Sequence, residues 1–178
     1  MNIATIQSDG RNESIRFAVR KCSLGFILAA ISPKGICAIS LGDDPDSLAS
    51  GLKHHFPHAR LAECGKNDEE RIAKIVALSE KPGTGLDLPL DMQGTESQRK
   101  VWTELLKIPA GTTASYSEIA RKIGKPKAAR AVAMACAANP IALAIPCHRV
   151  IHGDGSLSGY GCGVERKRVL LGREGVRI

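Results

Sequence analysis

The sequence predicts an α+β fold, a small α/β half followed by a helical half, on three observations. Residues 1–92 open with short apolar runs separated by turn residues, the pattern of an antiparallel meander. After Gly94 the apolar residues recur at helical intervals behind two capping boxes. The charge divides at the same place: residues 1–92 carry 11 Lys/Arg against 12 Asp/Glu, whereas residues 93–178 carry 14 against 6. The expected organisation is therefore an α/β scaffold domain over 1–92 and a helical domain over 93–178.

Residues 1–12 are polar and read as a linker. Ile15–Cys22, Phe26–Ile31 and Ile36–Leu41 read as three strands, separated by Ser23-Leu24-Gly25 and by Ser32-Pro33-Lys34-Gly35. Asp46 is a candidate cap for a helix over Ser47–Phe56, and Asn67 or Asp68 for a second helix whose apolar side is Ile72, Ile75, Val76 and Leu78. Leu86–Leu90 reads as a further strand, kept at an edge by Pro89, which has no N–H to give a ladder. Nothing in this half has the residue types of an active site.

In the second half, Thr95-Glu96-Ser97-Gln98 is a capping box opening a helix whose apolar face is Val101, Trp102, Leu105 and Leu106. Pro109 and Gly111 break it. Ser115-Tyr116-Ser117-Glu118 opens a short helix that stops at Gly124, and a third helix, Ala128–Ala138, ends at Asn139-Pro140. Two short helices joined by a few residues, the second rich in alanine, form a helix-turn-helix pattern. Lys125, Lys127 and Arg130 sit at the start of the second helix, the end that enters a DNA groove in that motif. The alanines, Ala129 among them, leave little bulk on it. That suits close packing on another helix, or a helix laid against a shallow minor groove.

The whole excess of a net charge of +7 falls in this half, which favours a phosphate-bearing partner over an acidic or neutral one. With only three Phe, two Tyr and one Trp, broad base-stacking of the single-strand-binding kind is poorly supported. No apolar run approaches the roughly 20 residues of a membrane span, and Met1–Asn12 lacks a secretory pattern. A cytoplasmic protein with no membrane partner is the expectation. None of the six cysteines is paired at C-x-x-C spacing, so no metal is expected. Most of the six read as small core residues.

Cys147 stands apart. It follows the apolar stretch Ile141–Ile145, is preceded by Pro146, and is followed by His148 and Arg149, two neighbours that favour a thiolate when charged. A free cysteine is already roughly a tenth ionised at pH 7.5, so full ionisation would add only about tenfold in rate. Thiolate formation alone therefore cannot be the main source of rate. Two alternatives bear on this reactive role. A plain helix-turn-helix regulator would not need Cys147, and a Cys/His hydrolase would turn over repeatedly.

Pro146-Cys147-His148-Arg149-Val150 resembles the active-site signature of the O6-alkylguanine-DNA alkyltransferases. Asn139-Pro140 lies at the family's spacing upstream, Gly124–Val132 resembles its helix-turn-helix, and Gly159-Tyr160 and Glu174 follow in order. The resemblance runs from about Gly94 to Glu174, and weakly back to Ile15. The first half and the Ala135–Asn139 segment most resemble the C-terminal domain of the bacterial Ada proteins. It implies a ribonuclease-H-like first domain, a winged-helix-like second one, and a bacterial monomer acting on double-stranded DNA that carries O6-alkylguanine or O4-alkylthymine. The damaged base is flipped out of the stack, and Cys147 accepts the alkyl group irreversibly, so no cofactor is implied. By resemblance, Arg130 fills the space left behind, with Lys125, Lys127 and Ala129 beside the DNA. Tyr116 turns the nucleotide and protonates the departing oxygen. His148 takes the thiol proton through a water, Glu174 orients His148, and Asn139 holds the turn. Tyr160, Val150 and Gly161 line the pocket. Two features depart from the family's pattern. Gly161-Cys162 replaces bulkier or hydroxylated residues, and Cys136 lies near the groove-facing side of the recognition helix. The metal-binding domain that precedes this one in Ada proteins is absent from the sequence, suggesting a free-standing form or an excised fragment.

Overall fold

Three β-branched and alanine-rich segments form the meander: β1 (Ser14–Cys22), β2 (Gly25–Ser32) and β3 (Gly35–Gly42), joined by tight turns in a computed structural model that describes residues 13–178. The linker expected over 1–12 lies outside the described residues. Gly35 is required where it stands, because its φ of +148° and a close approach by the Pro89 carbonyl leave no room for a Cβ. Both faces of the sheet are covered, so β2 buries successive residues rather than alternate ones. On one face Ile15, Leu28 and Ala38 pack under α1 (Pro45–His55) through Leu52 and Phe56. On the other, Ile27, Ala29, Ile31 and Ile39 join the main core.

α1 leads to β4 (Arg60–Glu63), which pairs parallel to β1 and gives the order β3-β2-β1-β4. The sequence reading missed this strand. It is four residues long and mostly exposed, so it carries no alternation of apolar and polar residues. The first helix cap also moves, from Asp46 to Asp44. Pro45 takes the first helical position, where its missing N–H is no loss, and Asp44 accepts from Ser47 N at 2.9 Å. α2 (Glu69–Glu80) follows a 3-10 turn at Lys66–Asp68 and has no side-chain cap. Asp68 occupies the capping position, but its carboxylate is held by two Arg16 nitrogens, Nε at 2.8 Å and Nη2 at 2.9 Å.

The expected strand over Leu86–Leu90 shrinks to a single parallel bridge between Leu90 and Ile36 on the edge of β3. Pro89 has no N–H to extend a ladder, so it contributes only its carbonyl, to Ile36 N at 2.9 Å. The same edge takes a second bridge, Ile39 to Ile141, with Ile39 N donating to Pro140 O. The approach to Cys147 is thereby tied to the sheet.

The helices of the second half are α3 (Glu96–Leu105), α4 (Tyr116–Lys122), α5 (Ala129–Ala137) and α6 (Val164–Arg173). Both capping boxes form as expected. Leu106 does not join the apolar face of α3; it lies just past the helix end and is 42% exposed. Between α4 and α5, Gly124 adopts φ +76°, the left-handed conformation that lets the chain reverse. Trp102 is buried, and its indole N–H donates to Ala135 O at 2.8 Å, satisfying a carbonyl that the end of α5 leaves free. One hydrophobic cluster includes sheet, α2, α3, α5 and α6 residues, among them Ile27, Ile75, Trp102, Val132 and Leu170.

A two-residue parallel pair, β5 (Ala114–Ser115) with β6 (Val150–Ile151), joins the start of α4 to the segment after Cys147. α6 is fastened to the first half by Arg166, which donates to Leu24 O at 2.8 Å, and by Arg173, which reaches Ser79 O and Ser23 Oγ. No helix among the described residues is long and apolar enough to cross a membrane.

Candidate active site

The chain turns sharply between α5 and Cys147, and Asn139 is the hub of that turn. Its Oδ1 accepts from Ile141 N at 3.0 Å, and its Nδ2 donates both to Ile145 O at 2.9 Å and to Cys147 Sγ at 3.2 Å. The resemblance assigned Asn139 to the turn; the geometry adds contact with the sulfur. Within the turn, buried Leu143 has φ +70°, the one non-glycine residue with positive φ among those described. Such a conformation costs on the order of 1–3 kcal/mol and persists where its surroundings over-determine it.

Cys147, His148 and Arg149 form one turn of 3-10 helix, and all three are buried. Burial reverses one expectation. Desolvation pushes the Cys147 thiol up to about 11, against the smaller opposing effect of the Asn139 hydrogen bond. Ionising it at pH 7.5 is then uphill by about 5 kcal/mol, not the small step expected of a free cysteine. The neighbouring cations do not offset this. Arg149 turns away, its guanidinium bonding Glu174, Ile108 O and Pro82 O, and burial lowers the pKa of His148, so the imidazole is neutral.

Glu174, at the end of α6, accepts from His148 Nε2 at 3.0 Å and from Arg149 Nη2 at 2.8 Å and Nε at 3.0 Å. Burial alone would raise this carboxyl, but these bonds outweigh it and bring the pKa down to about 2. An ionised carboxylate only accepts, so His148 carries its proton on Nε2. That leaves Nδ1 as a free lone pair, and Nδ1 is buried without a hydrogen-bond partner among the described residues. The ring is thus a neutral base held by its far side.

On the other flank, the half-buried Tyr116 hydroxyl donates to Ser158 Oγ at 2.7 Å, and burial raises its pKa. Ser158 Oγ donates to Val150 O at 3.0 Å. Lys167 is fully buried, and its ammonium donates to Val150 O, to Ser158 Oγ at 2.7 Å and to Gly159 O at 3.4 Å. Val150 itself is buried, and its carbonyl receives two donors. Tyr160 is half-buried with its hydroxyl sealed and without a hydrogen-bond partner among the described residues, and Gly161 is exposed. Cys136 and Cys162 are partly buried; desolvation raises both thiols, Cys136 to about 12, as expected of core cysteines.

Sequence reasoning did not single out Ser158, Lys167 or the Arg149–Glu174 pair. Spacing offered one signal: Lys167, Leu170, Leu171 and Glu174 share a helical face, so a lysine stands on an apolar stripe. Arg130, Lys125 and Lys127 are exposed, and the Arg130 side chain bonds to no described residue. Ala129 is half-buried beside it. The described residues contain no group of three or more His, Cys, Asp or Glu side chains placed to hold a metal ion.

Residues 96–176 match the family described as 6-O-methylguanine DNA methyltransferase, DNA binding domain. The chain is 48% identical over 174 residues to the bifunctional transcriptional activator/DNA repair enzyme Ada of Escherichia coli K12, covering 98% of this chain and 49% of that protein. It thus spans about half the length of that relative and of the similar Salmonella typhimurium regulatory protein. The inducible methylated-DNA–protein-cysteine methyltransferase of Bacillus subtilis is 39% identical over 142 residues, 79% of each chain. The crystal structure of Mycobacterium tuberculosis O6-methylguanine methyltransferase superposes with a TM-score of 0.72 at 34% identity, over 90% of this chain and 92% of that one. A structure of the same mycobacterial protein in complex with DNA matches equally well. These likenesses cover the sheet, the helix-turn-helix and the cysteine turn together, and the chain belongs to the O6-alkylguanine-DNA alkyltransferase family, the methylated-DNA–protein-cysteine methyltransferases.

Proposed function

We propose that this chain repairs duplex DNA by moving the alkyl group of O6-alkylguanine onto Cys147, once per protein molecule. The observation that carries the reading is the arrangement around one buried thiol. Asn139 contacts the sulfur, a neutral His148 is locked by Glu174, and Tyr116 is tied to the cysteine turn through β5–β6 and Ser158. The flipped guanine meets Sγ, which attacks the alkyl carbon, and the electron pair of the broken bond stays on the guanine oxygen. His148 Nδ1, through a water, accepts the thiol proton as the sulfur attacks. Pre-ionisation is too costly, so proton removal and attack run together. Tyr116 donates its phenolic proton to the departing oxygen.

Arg130 takes the place of the extruded base, and Lys125 and Lys127 contact phosphates, with Ala129 allowing the helix to approach closely. Tyr160, Gly161 and the Val150 segment line the base pocket. Residues 1–92 serve as a ribonuclease-H-like scaffold domain, a reading supported by a meander followed by a helix and a parallel fourth strand. Residues 93–178 form the winged-helix-like, DNA-binding and reactive domain. The protein acts as a monomer in the bacterial cytoplasm, and O4-alkylthymine is a second substrate.

Mass spectrometry after incubation with a methylguanine duplex tests this directly. The expected result is a gain of one methyl on the peptide holding Cys147, saturating at one lesion per protein. Repeated repair by one molecule, or repair that leaves Cys147 a free thiol, would overturn it.

A further inference from the structure

Helix α5 turns one continuous strip to solvent. Arg130, Ala131, Met134 and Ala137 are exposed on it and Ala138 continues it past the helix end, whereas Val132 and Ala135 are buried on the far side. Residues three and four apart on a helix stack on one face, so Arg130, Met134 and Ala137 look the same way. Met134 is 68% exposed, more than any other large apolar side chain among the described residues. Single exposed apolar residues are ordinary on a protein surface. This one shares its strip with Arg130, on the helix whose approach carries the exposed Lys125 and Lys127. The cations complement phosphate rows. The alanines and Met134 complement what lies between those rows, the uncharged sugar walls and floor of the minor groove.

Resting on the duplex-binding reading above, we propose that Met134 is an apolar wedge, entering the minor groove one helical turn beyond Arg130 and holding it open beside the lesion. The minor groove of B-form DNA, about 6 Å wide, is narrower than a helix, so it has to be opened even for one thinned by alanine. Methionine is among the side chains that minor-groove proteins press between base steps, which kinks the duplex away and widens the groove. Four residues set Met134 about 6 Å along the helix from Arg130, a distance comparable to roughly two base-pair steps. The two side chains therefore do not compete for one gap: Arg130 takes the place of the extruded base, and Met134 acts on the paired flank. A thioether has no strong donor or acceptor, so it reads no base edge. That suits repair, since a lesion can lie in any sequence, and the unbranched chain adapts to whichever step it meets.

Binding of the full chain to a methylguanine duplex and to its undamaged counterpart, over a range of salt concentrations, tests this. Met134→Ala should weaken both by roughly fivefold, the scale of one partly buried apolar side chain. Its salt-dependence slope should match wild type, because an apolar contact releases no counter-ions; Lys127→Ala, which removes a cation, is the control that lowers the slope. Met134→Leu, an apolar swap of similar volume, should bind within about twofold of wild type. Met134→Gln, of similar length but polar, should fall with the alanine variant. Methyl transfer to Cys147 by Met134→Ala should be slowed most at low duplex and recover as duplex is raised, since binding is lost rather than chemistry. Energy transfer across an end-labelled duplex should show a smaller bend in the Met134→Ala complex. Met134 faces solvent, so none of these changes disturbs the core. An alanine variant that binds as tightly as wild type or more tightly overturns the wedge. So does one with the slope of Lys127→Ala or an undiminished bend, and so does a glutamine variant equal to wild type. A wild-type chain that binds no duplex overturns the proposed function too, whereas normal methylation of Cys147 beside an unaffected Met134→Ala overturns the wedge alone.

Discussion

Glu174 and Lys167 lie on one face of α6, two turns apart, and both are sealed from solvent, yet they hold their charges in opposite ways. Glu174 is surrounded by donors: His148, both sides of the Arg149 guanidinium and, at 3.4 Å, Gly111 N. Its charge is compensated, its pKa sits at about 2, and it stays ionised throughout the working range. Lys167 has three acceptors but no carboxylate partner among the described residues, and its pKa falls to about 8. The first arrangement fixes a tautomer and never changes state. The second holds a proton loosely. The Cys147 thiol, pushed up to about 11 by burial, stays protonated across the same range.

The largest expected effect comes from breaking the compensated side. Glu174→Gln leaves the Arg149 guanidinium buried without its counter-charge, and should destabilise the fold by roughly 3–5 kcal/mol, read as a lower urea midpoint. The same carboxylate governs acid stability. Its folded pKa lies below the unfolded value near 4.5, so its contribution is complete above that value and is lost as pH falls through about 2. Urea midpoints from pH 6 to 2.5 should decline in wild type and be much flatter in Glu174→Gln.

Tyr116→Phe comes next. On the proposed role of its phenol as proton donor, transfer at saturating duplex should fall by roughly a hundredfold or more, with little change in melting temperature because the ring is kept. An unchanged rate would remove Tyr116 from the chemistry. Lys167→Met sharpens the contrast through its sign. Removing a buried, uncompensated charge should raise stability at pH 7 by about 1 kcal/mol, the relief of desolvation being partly offset by the acceptors left unpaired. If it costs as much as Glu174→Gln, the two sides are alike and the comparison fails. The smallest effect belongs to an exposed cation. Lys127→Ala should weaken duplex binding uniformly across sequences and reduce the salt-dependence slope by about one.

Much of this site was legible before any fold was known. Cys147, His148, Asn139, Tyr116 and Glu174 were each singled out from residue type, order and resemblance; His148 and Glu174 fall into one hydrogen-bonded cluster, Tyr116 into a second, and Asn139 bonds the Cys147 sulfur itself. The helix-turn-helix was legible because the Ser115 capping box and Gly124 are local signals. β4 was not, because its pairing with β1 is non-local and its residues are exposed. The strand expected over Leu86–Leu90 failed for the converse reason: apolar residues there pack against the core, but Pro89 cannot sustain a ladder.

Local chemistry, then, determined which residues carry reactive groups and where helices begin, since caps, turns and a nucleophile beside a base are written within a few positions of one another. Tertiary structure alone decided their protonation. Whether Cys147 is acid or thiolate, which nitrogen of His148 is free, and whether Lys167 can part with a proton all depend on burial and on partners up to dozens of residues away. Desolvation is a property of the packed interior, and no stretch of sequence contains it.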